Sequence, residues 1–447
     1  MKLNGVEKIP SGLVTCQIDG REVRILELSN EGFVIRTVQE LDCRSKIQVN
    51  FFQFEESRYE EIQLEMFEVL KCQQEDFCYI YTILTSQREY QRQAVAMIRD
   101  YTEYIMLKVS GDDSICSMEK VGYPAHLDEE FSDSFEHQKE EWFGGLWETT
   151  DDSIWQSEFE FAICLDQHNK YQQYLALGIQ EFTRQLLKEN YLNQHPIAKR
   201  KVTRLYIGNQ FCHNLFPSKI VLMQLLEKAT AEGLDLTIAT TYLREEHIPQ
   251  QKKLLDDLYG WCREHQTKVE LVVNDWGMAE LLKDKKDWIT ETFGILMNKR
   301  RKDPRYSYKQ GFDLYTDQLA ENSLNDEGYR EFLAESFGIQ RFEYESCGYP
   351  LKLPTMHNSL HFPYYQTNTS QYCTLYAKCA NADRGKQVLV NECPYYCEEI
   401  VFSYPKHLKM VGRYNSLFGL DDSLLKDETK LKDYLEHGID RLVLTLL

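Results

Sequence analysis

Five cysteines in the second half of the chain have the type and spacing to do chemistry: Cys212, Cys373, Cys379, Cys393 and Cys397. Cys393 and Cys397 form a Cys-x-x-x-Cys pair, and Cys379 lies a short loop upstream of them. Thiolates grouped in this way suit a zinc ion or an iron–sulfur cluster. Cys373 stands just before this group, and Cys212 follows the strand-like run Leu205-Tyr206-Ile207-Gly208. The bland alternative is a set of separate buried thiols. That reading is adopted for Cys16, Cys43, Cys72, Cys78, Cys116, Cys164 and Cys262, which lie on strand or helix patterns. An odd count of 13 cysteines, with no apolar leader at the start, argues against a disulfide framework.

Other polar residues offer further chemistry. Lys299, Arg300, Arg301, Lys302 and Arg305 crowd one loop of an acidic chain. They suit an anionic substrate group or a partner's acidic face, and equally a solvated loop that balances local acid. Glu343 and Glu345 follow a strand pattern and are candidates for acid or base work at a barrel mouth. His357 and His361 are candidate ligands or bases, or histidines satisfied by structure. No Gly-x-Ser-x-Gly, His-Glu-x-x-His or phosphate-cradling glycine loop occurs, which weakens any standard hydrolase reading.

The elements that must position these residues alternate. From residue 158 onward, strand patterns at 159–165, 202–207, 234–239 and 269–273 alternate with helical spacing over 171–187, 218–231 and 249–265. Further strands are expected at 342–344, 360–364 and 441–446, with a helix around 431–435. This alternation predicts an α/β domain with a mostly parallel sheet. At about 290 residues it suits a TIM-like (β/α) barrel. Loops after the strands of such a barrel share one face, so distant loop cysteines can meet there.

Residues 12–107 read differently. Short β-branched runs at 13–18, 24–28, 32–36, 47–52, 62–70 and 77–83 are separated by turn residues, and a helix is expected over 88–107. Together they predict a small β-barrel with a C-terminal helix. Between the two regions, residues 128–160 hold twelve acidic side chains and one basic, Lys139, together with Trp142, Phe143, Trp147 and Trp155. This reads as an acidic linker, or as an acidic-aromatic segment that packs on a partner or another domain. The expected organisation is therefore 1–110, a linker over 111–157, and 158–447.

Composition sets the outer bounds. The 447 residues carry a net charge of −20, from 51 basic and 71 acidic side chains. Such a chain repels nucleic acid unless it carries a local basic patch. No apolar stretch approaches the roughly 20 residues of a membrane span. With no apolar h-region at the start, a cytoplasmic location is expected.

Two resemblances add to this reading. The segment Arg21 to Thr37 resembles the PilZ domain, a small barrel that in many bacteria binds cyclic di-GMP. The family's Asp/Asn-x-Ser-x-x-Gly pattern is matched by Glu27, Leu28, Ser29, Asn30, Glu31 and Gly32, which would make Ser29 and Gly32 ligand-binding positions. The chain departs at Glu27, and it has no arginine upstream of Arg21 where the family's Arg-x-x-x-Arg would lie. The Arg88/Arg92 pair follows the barrel instead.

The second half resembles the collagenase-like peptidase family, above all its branch of accessory proteins for oxygen-independent ubiquinone hydroxylation. The matches are Gly208-Asn209-Gln210-Phe211-Cys212, Lys378-Cys379, and Glu392-Cys393-Pro394-Tyr395-Tyr396-Cys397, with further likeness at Val272 to Gly277 and Leu296 to Arg305. The resemblance implies a [4Fe–4S] cluster on Cys212, Cys379, Cys393 and Cys397, with zinc as the alternative metal. Cys373 could replace Cys212. The expectation is an iron–sulfur accessory or redox protein with a redox or protein partner. One alternative is a cyclic di-GMP-responsive binding protein, and a second is a peptidase. Whether the chain is an enzyme is left open.

Overall fold

The computed structural model describes residues 3–41, 45–54, 58–110, 123, 135–146, 154–304, 319–354, 357–404 and 408–447. Cys43, Cys116, Trp147, Arg305 and most of the acidic 111–157 segment lie outside the described residues. The chain divides into two compact units near Glu129.

The first unit is an antiparallel sheet with one helix. Its strands are β1 (Val6–Glu7), β2 (Val14–Ile18), β3 (Arg21–Ser29), β4 (Gly32–Thr37), β5 (Ile47–Gln53), β6 (Arg58–Leu64), β7 (Glu68–Glu75) and β8 (Cys78–Leu84), followed by α1 (Arg88–Ser110). Neighbours run β6-β5-β2-β3-β4-β8-β7, with β1 on β3. Alternate residues such as Phe33, Ile35, Val49, Phe51 and Ile83 turn inward and meet Tyr90, Ala94 and Met97 of α1. These spacings are the strand period of two and the helix period of 3–4.

Two expectations change here. The hydrogen-bonded path runs from β6 to β7 with no closing pair among the described strands, so the expected barrel is observed as a sheet. The single strand expected over 62–70 is two strands: β6 ends at Leu64 on β5, and β7 starts at Glu68 on β8. β7 is an edge strand exposed along its whole length. Its apolar residues therefore carried no burial information.

The second unit is built on eight parallel strands: β9 (Glu160–Leu165), β10 (Arg204–Ile207), β11 (Asp235–Ala239), β12 (Val269–Val273), β13 (Ile289–Phe293), β14 (Arg341–Glu345), β15 (His357–Thr369) and, last in the chain, β19 (Ile439–Thr445). Each pairs in parallel with the next, β15 pairs with β19, and β19 returns to β9, so the ring is closed. Helices separate the early strands. α2 (Phe135–Phe143) precedes β9; α3 (His168–Leu177) and α4 (Ile179–Glu189) follow it. α5 (Lys219–Ala231), α6 (Ile248–His265), α7 (Trp276–Leu282) and α8 (Glu327–Phe337) follow in turn. The helix expected over 171–187 is broken at Gly178, whose φ of 81° is open to glycine at little cost.

The repeat then changes. No helix is described between β14 and β15. Between β15 and β19 come α9 (Thr374–Asn381), three antiparallel strands β16 (Phe402–Ser403), β17 (Met410–Arg413) and β18 (Ser416–Leu420), and the helices α10 (Ser423–Lys426) and α11 (Glu428–Glu436). β18 pairs with the far half of β15, which is long enough to serve barrel and extension at once. The acidic-aromatic segment joins this unit: Trp142 and Phe143 of α2 meet the Tyr364 ring edge-on at 6.4 and 6.1 Å.

Candidate functional site

Two segments carry the five cysteines, one after β10 with Cys212 and one after β15 with Cys373, Cys379, Cys393 and Cys397, so all lie beyond the C-terminal ends of barrel strands. Cys212 sits after β10, where the Asn209 side chain accepts the backbone N–H groups of Phe211 (2.8 Å) and Cys212 (2.9 Å). Cys373 follows β15 and caps α9: its Sγ accepts the Tyr376 N–H at 3.3 Å and donates to the Tyr414 carbonyl at 3.1 Å. Cys379 lies within α9, and Cys397 within a short helical turn over Tyr396–Glu398. Side-chain amides tie the loops together. Asn415 donates to the carbonyls of Phe211 (2.8 Å) and Ser370 (2.6 Å), and Asn214 donates to Val390 (3.1 Å). The His168 ring packs on Tyr395 at 4.3 Å.

Electrostatics sorts the thiols. Burial pushes Cys212 up to about 12, with Cys373 and Cys393 adding to the effect. Burial also raises Cys397, with Cys212, Cys373 and Cys393 adding and Arg413 opposing. Cys373 is pushed up to about 11 by burial, with Cys393 and Cys379 adding. Cys379 is raised by burial alone, with Lys378 opposing. Cys212, Cys373, Cys393 and Cys397 thus share one electrostatic neighbourhood, and Cys379 is at its margin. Arg413 lies against it, donating to the carbonyls of Cys397 (2.7 Å) and Glu398 (3.1 Å). All five thiols are free. Among the described residues, no three His, Cys, Asp or Glu side chains are close enough together to hold a metal ion. The donors are soft sulfurs beside one guanidinium, which fits a thiolate-ligated centre in chemistry, though the group is gathered rather than closed.

The basic loop is largely satisfied by the protein. Arg300 donates to the Glu345 carbonyl at 2.8 Å and lies over the Tyr349 ring. Lys302 binds Glu345 at 2.5 Å and Gln366 at 2.9 Å. Lys299 donates to the Leu296 carbonyl at 3.0 Å, while Arg301 is exposed. In the first unit, Ser29 is buried and its Oγ accepts the Glu31 N–H. The carbonyls of Ser29 and Gly32 both accept from the Tyr90 hydroxyl, at 2.9 and 2.8 Å. The Ser-x-x-Gly turn is thereby fastened to α1.

A second group fills the barrel interior. In a ring of eight, β12 lies opposite β19 and β10 lies opposite β14. Arg441 on β19 donates across to Glu270 on β12 at 2.6 and 2.9 Å, and to Glu160 at 2.5 Å. Arg204 donates to the other Glu160 oxygen at 2.5 Å. One layer higher, the Tyr206 hydroxyl donates to Glu343 Oε1 at 2.9 Å, and Glu343 Oε2 lies 2.6 Å from His361 Nε2. His361 Nδ1 lies 3.1 Å from Thr445 Oγ1, which is 3.4 Å from Cys164 Sγ. Glu343 is therefore an interior residue paired with a histidine. His357 binds Asp440 at the opposite end of the barrel from the cysteines.

Sequence reasoning missed several of these residues. Cys347, buried beside Arg300, was not singled out, and Cys164 was read only as filler. A signal did exist: Arg341-x-Glu343-x-Glu345 is polar at every second position, and Glu160-x-Ala162-x-Cys164 and Arg441-x-Val443-x-Thr445 set a polar or thiol side chain at each end of one face. That period marks one face of each strand.

The fold and site thus define an α/β protein with a closed eight-stranded parallel barrel, a polar barrel interior and a thiol group beyond the strand ends. No family model and no curated protein matches the chain. Among solved structures, the crystal structure of an uncharacterised Legionella protein aligns at 16% identity. The alignment covers 22% of this chain and 96% of that one, with a TM-score of 0.16, a value that carries no argument.

Proposed function

We propose that this chain is an iron–sulfur accessory or redox protein, built on a TIM-like barrel and joined to a PilZ-like module that has lost its dinucleotide site. The supporting observation is the meeting of Cys212, Cys373, Cys393 and Cys397 in one electrostatic neighbourhood from loops up to 185 positions apart. Cys212, Cys393 and Cys397 would hold a [4Fe–4S] cluster, with Cys379 or Cys373 as the fourth ligand. Bound there, the cluster would supply one-electron chemistry. The chain's own residues do the rest. Arg413 offsets thiolate charge, the Asn209 and Asn415 amides hold the loops, and Tyr395 on His168 shields one side.

Anaerobic purification with iron, sulfide and zinc analysis and a visible spectrum is the test. Iron and sulfide near cluster stoichiometry are expected, with most metal lost in Cys212→Ala, Cys393→Ala and Cys397→Ala. Comparing Cys373→Ala with Cys379→Ala assigns the fourth ligand. A colourless, iron-free protein after anaerobic reconstitution sinks the reading, and one equivalent of zinc replaces it with a structural zinc site.

A further inference from the structure

A cavity of about 340 Å³ opens at the end of the barrel opposite the loop cysteines. Its walls come from the segments that lead into β9 and β10: Trp155 and Gln156 before the first, and Lys199, Arg200, Lys201 and Thr203 before the second. His195 closes the short turn over Pro196–Lys199, its Nδ1 accepting the Ile197 N–H at 3.1 Å. The His195 ring also meets Trp155 edge-on at 5.2 Å. Arg200 lies over the Phe159 ring at 4.0 Å and donates to the carbonyls of Trp155 (2.9 Å), Ser157 (3.0 Å) and Phe159 (2.8 Å). One side chain thus fastens the two segments and fixes a positive charge in the wall.

The protein does not balance that charge. All three acceptors are neutral carbonyls, and no carboxylate lines the cavity among the described residues. Burial lowers Arg200, with no acid opposing. Two N–H donors of the same residues, Trp155 Nε1 and Arg200 Nε, are buried without an acceptor among the described residues. Lys199 and Lys201 add charge of the same sign on either side, in a chain whose net charge is −20. A cavity of about 300 Å³ beside α2 shows the contrast: its Lys139 and Lys170 are paired with Glu136 and Asp166, each at 2.7 Å. A desolvated cation costs free energy unless an anion pairs with it. This wall has donors in excess and lacks acceptors, a deficit that an anion fills.

We propose that this cavity binds a small phosphate-bearing anion. Three cations suit a ligand of charge two or more better than a monocarboxylate. The volume stands at the lower end of the roughly 300 to 1,000 Å³ of small-molecule sites, enough for one or two phosphoryl groups and a small attached body. The net charge opposes an extended polyanion such as nucleic acid, which needs a longer basic face. Lying at the far end from the thiols, the site is separate from the chemistry proposed for them and does not depend on a bound metal.

The full-length protein is titrated with sodium pyrophosphate in a calorimeter, with sodium acetate at matched ionic strength as the comparison. Saturable binding near one equivalent is expected, with a Kd below about 1 mM, and acetate should bind roughly tenfold more weakly or worse. Lys201 is exposed, so Lys201→Gln keeps the fold and should weaken pyrophosphate binding roughly tenfold. Lys253→Gln, exposed on α6, removes an equal charge elsewhere and should change nothing. Heat from chelation of a metal would respond to neither substitution. No saturation by about 10 mM pyrophosphate overturns the proposal. So does an unchanged affinity in Lys201→Gln, an equal loss in Lys253→Gln, or equal binding of acetate.

Discussion

Two glutamates show how the same side chain titrates in opposite directions. Glu291 on β13 is buried with neither carboxylate oxygen hydrogen-bonded, and burial pushes it up to about 7 against the pull of Lys286 and Lys283. A carboxyl raised by folding supports the fold below its unfolded value near 4.3 and loses that support as pH rises through the folded value. Between pH 5 and pH 8 the parent should therefore lose roughly 2 to 3 kcal/mol that Glu291→Gln retains, measured by urea unfolding at both pH values. Glu270 is also desolvated, but Arg441, Arg204 and Arg341 outweigh this and hold it at about 2. Its contribution is present above the unfolded value and is lost as pH falls toward 2. Glu270→Gln leaves Arg441 underpaired in the barrel and should cost about 3 to 5 kcal/mol at pH 7. That difference should shrink on acidification.

At the scale of elements, the β3–β4 hairpin is held by one position. A side-chain carbon on Gly32 would stand 1.9 Å from the Ile83 carbonyl oxygen on β8. Backbone cannot yield as a flexible side chain can, so Gly32→Ala must part β4 from β8 and slacken the Tyr90 anchor. A loss of about 3 kcal/mol or more is expected, in the range of severe core lesions. Ser218→Ala is a useful scale for comparison. Ser218 caps α5 through the Val221 N–H, and its loss should cost about 1 kcal/mol. Equal losses in the two variants would mean that the hairpin adjusts freely. Helix ends of this kind carry local signals: Ser218 before α5, Gly233 after it, and Pro249 in the first turn of α6. β13, α7, α8 and the β16–β18 extension were not read, because short elements with mixed burial carry little periodicity.

At the scale of the whole molecule, the buried thiols make the metal-free protein sensitive to alkali. Cys212 and Cys373 are pushed up to about 12 and about 11 in the fold. The unfolded chain releases these protons near 8.5. Stability should therefore be full below that value and fall as pH rises toward 11 to 12, an effect that Cys212→Ser should blunt. Metal binding runs the other way: it displaces thiol protons, so affinity for added zinc should rise with pH. Titrations at two pH values, following proton release, check this.

The sequence by itself determined the α/β alternation after residue 158, the β-rich start and the ends of α5, because these depend on periods of two and 3.6 residues and on local backbone hydrogen bonds. It also placed Cys212, Cys373 and Cys393 in loops, whereas Cys379 lies within α9 and Cys397 in a helical turn. Only the tertiary structure decided that β6 and β7 are separate strands at opposite edges of the first sheet. The chain of contacts Cys164–Thr445–His361–Glu343 belongs to the same class. Its members come from β9, β19, β15 and β14, which ring closure brings together. Spacing along a chain records which face of a strand a residue occupies. Which strands share a barrel layer depends on register and closure, and no local pattern encodes those.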